Sequence, residues 1–336
     1  MNILGIETSC DECSAAVVQD GRKILSNVIA TQIELHRPFD GVVPELASRL
    51  HTQWISQVVN AALVQAGLTK EDIDAIAVTS RPGLLGSLLV GVNFAKGLAA
   101  SLNIPFIGID HIRAHLYAPQ IENPLEYPYL GVLLSGGHTV ICRVDSYDSI
   151  EVLGTTIDDA IGEAFDKVAK HYGLGYPGGV MIDRLAQTGD PMAFRFSGPD
   201  LSKGYHPYDL SYSGLKTAVI NQLDMFSTGK PATPENIAAS FQRVAVGMLM
   251  KKVDKALKDT GLMRISAGGG VAANSLVRSS LLKYKEKGYE VSFPSLKLCT
   301  DNGAMVAGLG YRYIKDGFKS DWDLSASARV AAFKKA

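Results

Sequence analysis

A chain that opens each of its halves with the same strand, tight turn and returning strand is restricted to folds built from two similar α/β halves. The first copy runs Ile3-Leu4-Gly5-Ile6, turns through Glu7-Thr8-Ser9-Cys10-Asp11-Glu12 and returns as Cys13-Ser14-Ala15-Ala16-Val17-Val18. The second runs Leu130-Gly131-Val132-Leu133-Leu134, turns through Ser135-Gly136-Gly137-His138 and returns as Thr139-Val140-Ile141-Cys142-Arg143-Val144. Short apolar runs bounded by small polar residues read as buried strands in hairpins. Hydroxyls and glycines at the tips let successive backbone N–H groups approach an anion closely. Each turn alone is equally well an ordinary hairpin; the pair favours a grip on the phosphates of a nucleotide between the halves. A third glycine-rich strand end, Ala267-Gly268-Gly269-Gly270, opens into an amphipathic run from Ser275 to Lys287, a strand-turn-helix entry of the kind that binds nucleotides in α/β folds.

With 336 residues the chain exceeds the usual size of one core, so two lobes are expected. Leu46, Leu50, Trp54, Val58 and Ala62 recur every fourth residue up to Gly67 and predict a helix, followed by strands at 74–79 and 105–109. The apolar stretch 84–102 is interrupted by Gly86, Ser87, Gly91, Asn93, Lys96 and Gly97, which predicts a buried helix and no membrane span. After Tyr129 the order partly recurs: helices over 157–172, 214–224 and 234–260, strands over 264–267 and 290–293, and a last helix over 302–315. The predicted lobes are 1–125 and 126–336, the second with a loop-rich insertion at 187–212, and the segment 302–336 is free to pack back on the first. Pro119, Pro124 and Pro128 mark a hinge at 120–128.

The formal net charge of -1 supplies no general attraction for a polyanion. Any grip on nucleic acid falls to local patches such as Lys251-Lys252 or Arg278, Lys283, Lys285 and Lys287, unless these are plain solvated helix faces, or to partner subunits. Cys10, Cys13, Cys142 and Cys299 lack the spacing of a disulfide framework and the N-terminus lacks a signal-peptide pattern, so a cytoplasmic protein is expected. Cys10-x-x-Cys13, with no second cysteine pair, reads as part of the turn before it reads as a metal or redox site.

His111 and His115 lie four residues apart, which on a helix places both imidazoles on one face about 6 Å apart along the axis. Asp110 before them suits an N-cap. The absence of glutamate after His111 argues against a zincin protease, whose base sits there. Asp301, in Cys299-Thr300-Asp301-Asn302-Gly303, is either a third ligand or simply the cap of the last helix. Two histidines and one carboxylate leave coordination positions open, the mark of catalysis or substrate binding rather than of a structural ion.

Taken together, nine segments resemble the tRNA adenosine threonylcarbamoyltransferases, the TsaD family once labelled O-sialoglycoprotein endopeptidases. They are Gly5 to Glu12, Gly41 to Arg49, His111 to His115, Ser135 to Thr139, Ile157 to Lys167, Tyr176 to Gly179, Ser213 to Thr217, Gly269 to Asn274 and Cys299 to Met305, and they span almost the whole chain. The resemblance implies a bilobal actin-, Hsp70- and sugar-kinase-like (ASKHA) fold with two RNase H-like lobes. It implies a cytoplasmic enzyme transferring threonylcarbamoyl from threonylcarbamoyl-adenylate to the exocyclic amine of the adenosine 3′ of the anticodon in tRNAs reading ANN codons. By the family pattern His111, His115 and Asp301 bind one divalent ion, Fe2+ or Zn2+, with Mg2+ as a further companion of the nucleotide. Leu134, Ser135, Gly136, Gly137 and His138, with Asp11 and Glu12 as catalytic residues, face the phosphate and carbamoyl part of the donor. Asp166, Gly179, Asp183 and Asn274 hold the nucleoside. A smaller inactive paralogue (TsaB-like) and a P-loop ATPase (TsaE-like) are the implied protein partners. Arg81 departs from the pattern, in Thr79-Ser80-Arg81-Pro82-Gly83 where the family has Thr-x-Gly-Pro-Gly. The first rival is a small-molecule kinase of the same superfold, which would use the phosphate turns but has no need of two histidines on a helix, and the second is a non-enzymatic nucleotide-switched binding module.

Overall fold

The computed structural model describes residues 1–39, 41–198 and 207–329. They form two units: Met1–Pro124 together with the segment that begins at Pro294, and Leu125–Phe293. The second unit begins at Leu125 and ends at Phe293, and the segment from Pro294 lies with the first. Within the predicted insertion, residues 199–206 lie outside the described residues.

The first unit contains β1 (Asn2–Glu7), β2 (Glu12–Gln19), β3 (Lys23–Thr31), β4 (Ala75–Arg81) and β5 (Phe106–Asp110), in sheet order β3-β2-β1-β4-β5. The three leading strands pair antiparallel; β1 to β4 and β4 to β5 are parallel. Alternation along β1 decides which helices cover which face. Leu4 and Ile6 join Ile55, Val58 and Val59 of the helix Pro44–Ala66 and Val92, Ala95 and Ala99 of the helix Leu85–Leu102. Gly5 faces the other way, where a Cβ would stand 2.1 Å from the carbonyl oxygen of Gly303; a Cβ at Gly303 would stand 2.6 Å from the backbone nitrogen of Ala16. Two glycines thus let the helix Gly303–Lys315 lie directly on the sheet, which is why the chain from Pro294 belongs to the first unit. By length and apolarity the helix Leu85–Leu102 would pass for a membrane span. It is instead a one-sided surface helix, buried along Leu88, Val92, Ala95 and Ala99 and exposed at Leu85 and Leu89, rather than the buried helix its composition predicts.

The second unit repeats the plan. β6 (Tyr129–Leu134), β7 (Thr139–Val144), β8 (Ile150–Thr155), β9 (Arg264–Gly268) and β10 (Glu290–Ser292) are ordered β10-β9-β6-β7-β8, so each half carries the same antiparallel meander followed by parallel strands. The predicted helix over 157–172 begins only at Ile161, because Asp158 is engaged with Ser211, Tyr212 and Ser213 and Thr156 closes a turn on the carbonyl of Asp159. Asp159 also ties that helix to the helix Ser213–Asn221, bonding Lys167 at 2.7 Å and Lys216 at 2.6 Å. The helix Gly178–Ala186 is additional, and the predicted run 275–287 is helical over Ser275–Leu282 before a single tighter turn.

Candidate functional site

In the first unit β5 runs straight into the helix His111–Glu122, whose N-terminus is capped by the Asp110 carboxylate accepting from Ile112 N at 3.0 Å and Arg113 N at 3.1 Å. That cap makes His111 the first helical residue and sets His115 one turn on. Asp301 arrives ahead of the helix Gly303–Lys315. The cap of that helix is Asn302, which accepts from Met305 N at 3.0 Å, so the Asp301 carboxylate is not consumed at the helix end. It lies 2.9 Å from His115 Nε2 and 3.6 Å from His111 Nε2, and the three ligand atoms fall within 4.8 Å of one another. Around one ion with bonds of about 2.1 Å, neighbouring donors stand about 3.4 Å apart, so the three side chains fit a shared ion.

His111 is also aimed from behind. Its Nδ1 lies 3.1 Å from Glu7 Oε2 and 3.2 Å from Ser9 Oγ, leaving Nε2 for the shared position. Glu7 is fully buried at the end of β1 and accepts from Ser9 N and Thr79 Oγ1 as well. Burial would raise its pKa, but the imidazole of His111 beside it holds it lowered, so it stays ionised. Burial likewise would depress His111, yet the charges of Asp301, Glu7 and Asp110 bring it up to about 9 in the metal-free protein. Glu12 shifts well upward through burial and the charges of Asp301 and Asp11. The pocket is therefore built to hold positive charge, as a divalent ion would supply. His115 Nδ1 is buried without a hydrogen-bond partner among the described residues, so its orientation rests on packing. Arg81 places its Nε 3.7 Å from the Asp110 carboxylate, beside the cap of the histidine helix.

In the second unit Ser135-Gly136-Gly137-His138 closes on itself, Ser135 N donating to the His138 carbonyl at 2.8 Å and His138 N to Ser135 Oγ at 3.0 Å. A Cβ at Gly136 or Gly137 meets nothing within 4 Å, so the outer side of the turn is open. The helix Ile161–His171 starts against it: a Cβ at Gly162 would stand 2.7 Å from the Ser135 carbonyl oxygen, and Ile161 N donates to Thr139 Oγ1 at 2.9 Å. Gly269, at φ +91, lies where a Cβ would be 2.4 Å from the Leu134 carbonyl oxygen. Backbone amides and a helix N-terminus converge on one turn, the ingredients of an anion site.

Asp166 accepts from Gly179 N at 3.2 Å. Asp183 accepts from Ser275 Oγ at 2.7 Å, Ser275 N at 3.1 Å and Gln242 Nε2 at 3.0 Å. Asn274 Oδ1 caps Leu276 and Val277, each at 3.1 Å, while its Nδ2 and the Oε1 of Gln242 are buried with no hydrogen-bond partner among the described residues. A buried amide donor and a buried amide acceptor left open are costly unless a ligand completes them. The sequence-predicted residues thus gather in two sets, His111, His115, Asp301, Asp11 and Glu12 in one unit and Leu134 to His138, Asp166, Gly179, Asp183 and Asn274 in the other. Sequence reasoning missed Glu7 and Gln242. Each is a polar side chain inside an apolar stripe, and that misfit was the available signal.

The repeated five-stranded sheets define the actin, Hsp70 and sugar-kinase class of two-unit α/β proteins. At the level of fold alone, full-length HypF in its phosphate- and nucleotide-bound form matches 96% of this chain and 47% of its own with a TM-score of 0.62 at 16% identity. The chain belongs to the TsaD family, tRNA N6-adenosine threonylcarbamoyltransferase, whose family model matches residues 23–308. The tRNA N6-adenosine threonylcarbamoyltransferase of Treponema denticola is 60% identical over 336 residues, covering 100% of this chain and 99% of that protein. The enzyme of the same description from Treponema pallidum strain Nichols is 54% identical, covering 100% and 95%. The activity is accordingly formation of threonylcarbamoyladenosine in tRNA, and the kinase reading is set aside.

Proposed function

We propose that the transfer is metal-dependent and runs on His111, His115 and Asp301 as ligands of one divalent ion, Fe2+ or Zn2+. The observation that carries this is the convergence of two imidazole nitrogens and one carboxylate within 4.8 Å. When bound there, such an ion supplies a Lewis acid with open positions for the carbamoyl oxygen or the threonyl carboxylate and hydroxyl. The chain's own groups do the rest. The amides of Gly136 and Gly137, at the tip of the turn that Ser135 and His138 close, and the start of the helix at Ile161 receive the phosphate of threonylcarbamoyl-adenylate and the charge that grows on it as AMP leaves. Asp166 and Asp183 accept the ribose hydroxyls, Gly179 admits the base closely, and Asn274 Nδ2 with Gln242 Oε1 offers a donor and an acceptor to it. As the adenosine amine bonds to the carbamoyl carbon and the carbon–oxygen bond to phosphate breaks, the amine proton passes to the ionised carboxylate of Glu12, with Asp11 alongside.

The tRNA is the substrate; a TsaB-like paralogue and a TsaE-like ATPase are the proposed partners in a cytoplasmic complex, and Mg2+ is the proposed companion of nucleotide. Incubation of the chain and these partners with threonine, bicarbonate, ATP, adenylate synthase and unmodified tRNA, followed by digestion to nucleosides, yields threonylcarbamoyladenosine. Its absence with active partners would overturn the reading.

Gly136→Val fills the open side of the phosphate turn, where a Cβ meets nothing within 4 Å, so it weakens a non-hydrolysable donor analogue about tenfold, about 1.4 kcal/mol by calorimetry; unchanged affinity would place the phosphate elsewhere. Metal affinity depends on pH because ligation requires neutral His111, which holds a proton up to about pH 9 in the metal-free protein. Between neutrality and that pH each unit of acidification displaces the equilibrium by about tenfold toward the free ion, and above it the dependence from this group flattens. A dissociation constant independent of pH over that window would show that His111 is not displaced from a protonated state.

A further inference from the structure

A cavity of about 710 Å³ opens in the second unit, and none of the residues given above to donor, nucleoside or metal lines it. One wall is a single face of the helix Pro234–Thr260, which contributes Arg243, Gly247, Lys251, Lys252 and Lys255. The positions 243, 247, 251 and 255 succeed one another about every 6 Å along the axis, so the cations span about 18 Å. The opposite wall comes from residues 196–198, Pro207 and residues 209–211. The carboxylate there, Asp209, is engaged by Thr155 N at 3.0 Å. Lys255 is shared with Asp259 at 2.9 Å, whereas Arg243, whose Nε donates to the Pro191 carbonyl at 2.7 Å, and Lys251 are paired with no carboxylate among the described residues.

Gly247 is the informative residue. It stands in the middle of a 27-residue helix, where glycine costs about 1 kcal/mol relative to alanine. Packing does not require it, since a Cβ there meets no atom within 4 Å. The missing side chain leaves bare backbone between Arg243 and Lys251, and only something entering the cavity gains from that. The charge calls for an anion, and its spread over about 18 Å calls for several negative charges in a row. Lysine is depleted from the cores of protein–protein interfaces, and none of the large exposed apolar side chains lines this cavity, so a phosphate backbone fits better than a protein surface. A chain of net charge -1 also needs a local source of attraction for its polyanionic substrate.

We propose that this basic cavity seats the sugar-phosphate backbone of the tRNA, with Arg243 and Lys251 binding phosphates and Gly247 as the floor that lets the backbone approach. The proposal rests on tRNA being the substrate. It is tested in the reconstituted transferase reaction by measuring KM for tRNA at several salt concentrations. The Arg243→Glu, Lys251→Glu double variant raises KM at least about tenfold, and the slope of log KM against log salt falls by about 0.7–0.9 for each phosphate left without its cation. Gly247→Gln, which changes no charge and suits a helix, raises KM without lowering the melting temperature. Lys258→Glu, an exposed position of the same helix that does not line the cavity, changes net charge as much as either single reversal and leaves KM within about twofold. A double variant with wild-type KM and salt slope overturns the proposal while leaving the activity itself intact in the wild-type control. Loss of co-elution with a protein partner, at unaltered tRNA affinity, would assign the cavity to a protein and overturn it equally.

Discussion

Replacing His111, His115 or Asp301 by alanine removes the bound ion and lowers threonylcarbamoyladenosine formation about a thousandfold, roughly 4 kcal/mol of barrier. The chain stays folded in all three. Asn302 and not Asp301 caps the final helix, and Asp110 rather than either histidine caps the helix His111–Glu122. Glu7→Gln belongs to a milder class: the amide still fits between Ser9, Thr79 and His111 but no longer holds the imidazole by charge, so metal affinity falls about 10- to 100-fold. Metal content by mass spectrometry that is unchanged across the three ligand variants would remove the assignment.

The second large effect is on stability. Gly5→Val puts a branched side chain where even a Cβ stands 2.1 Å from the Gly303 carbonyl oxygen and 2.6 Å from Ala307 N, and both are backbone atoms of a packed helix. The helix Gly303–Lys315 must lift from the sheet, costing at least about 3 kcal/mol and lowering the melting of the first unit by roughly 6–12 °C. Because Asp301 enters that helix directly, metal affinity falls with it. Gly97→Ala is the contrast: its Cβ meets nothing within 4 Å, and helix propensity makes it neutral or slightly stabilising. A Gly5→Val protein that melts within about 2 °C of the parent would mean that the helix is not seated by this close approach.

Both hairpins, the long helix Pro234–Thr260, the cap at Asp110 and the histidine pair were legible in the sequence, since each depends on local spacing that side chains impose on their own backbone. Strands β3 and β8 were not. Each is the third strand of its meander, only partly buried, and so lacks the continuous apolar run that marks β1 and β6. The helix starts at Ile161, later than local pattern suggests, because Asp158 is claimed by residues more than fifty positions away, a long-range bond that no local pattern records. For Asp301 the sequence leaves ligand and cap in balance. What removes the cap reading is the rank of two adjacent cap formers, Asp301 and Asn302, which only the three-dimensional path of the chain resolves. Gln242 escaped for the opposite reason: one amide within an otherwise apolar helix face is common, and its significance lies in the unfilled bonds around it.

Asp301, the third proposed ligand, reaches the histidine pair from 186 residues further along the chain, after the whole of the second unit. On a ribosome adding about 5–20 residues per second, that interval is roughly 10–40 s during which His111 and His115 exist without Asp301 and β1 without its covering helix. A nascent or truncated chain that stops before Pro294 therefore displays an incomplete candidate metal site and a bare sheet face together. With the proposed ligand set, synthesis is in effect proofread by the fold: only a protein translated into its last helix can complete the candidate site.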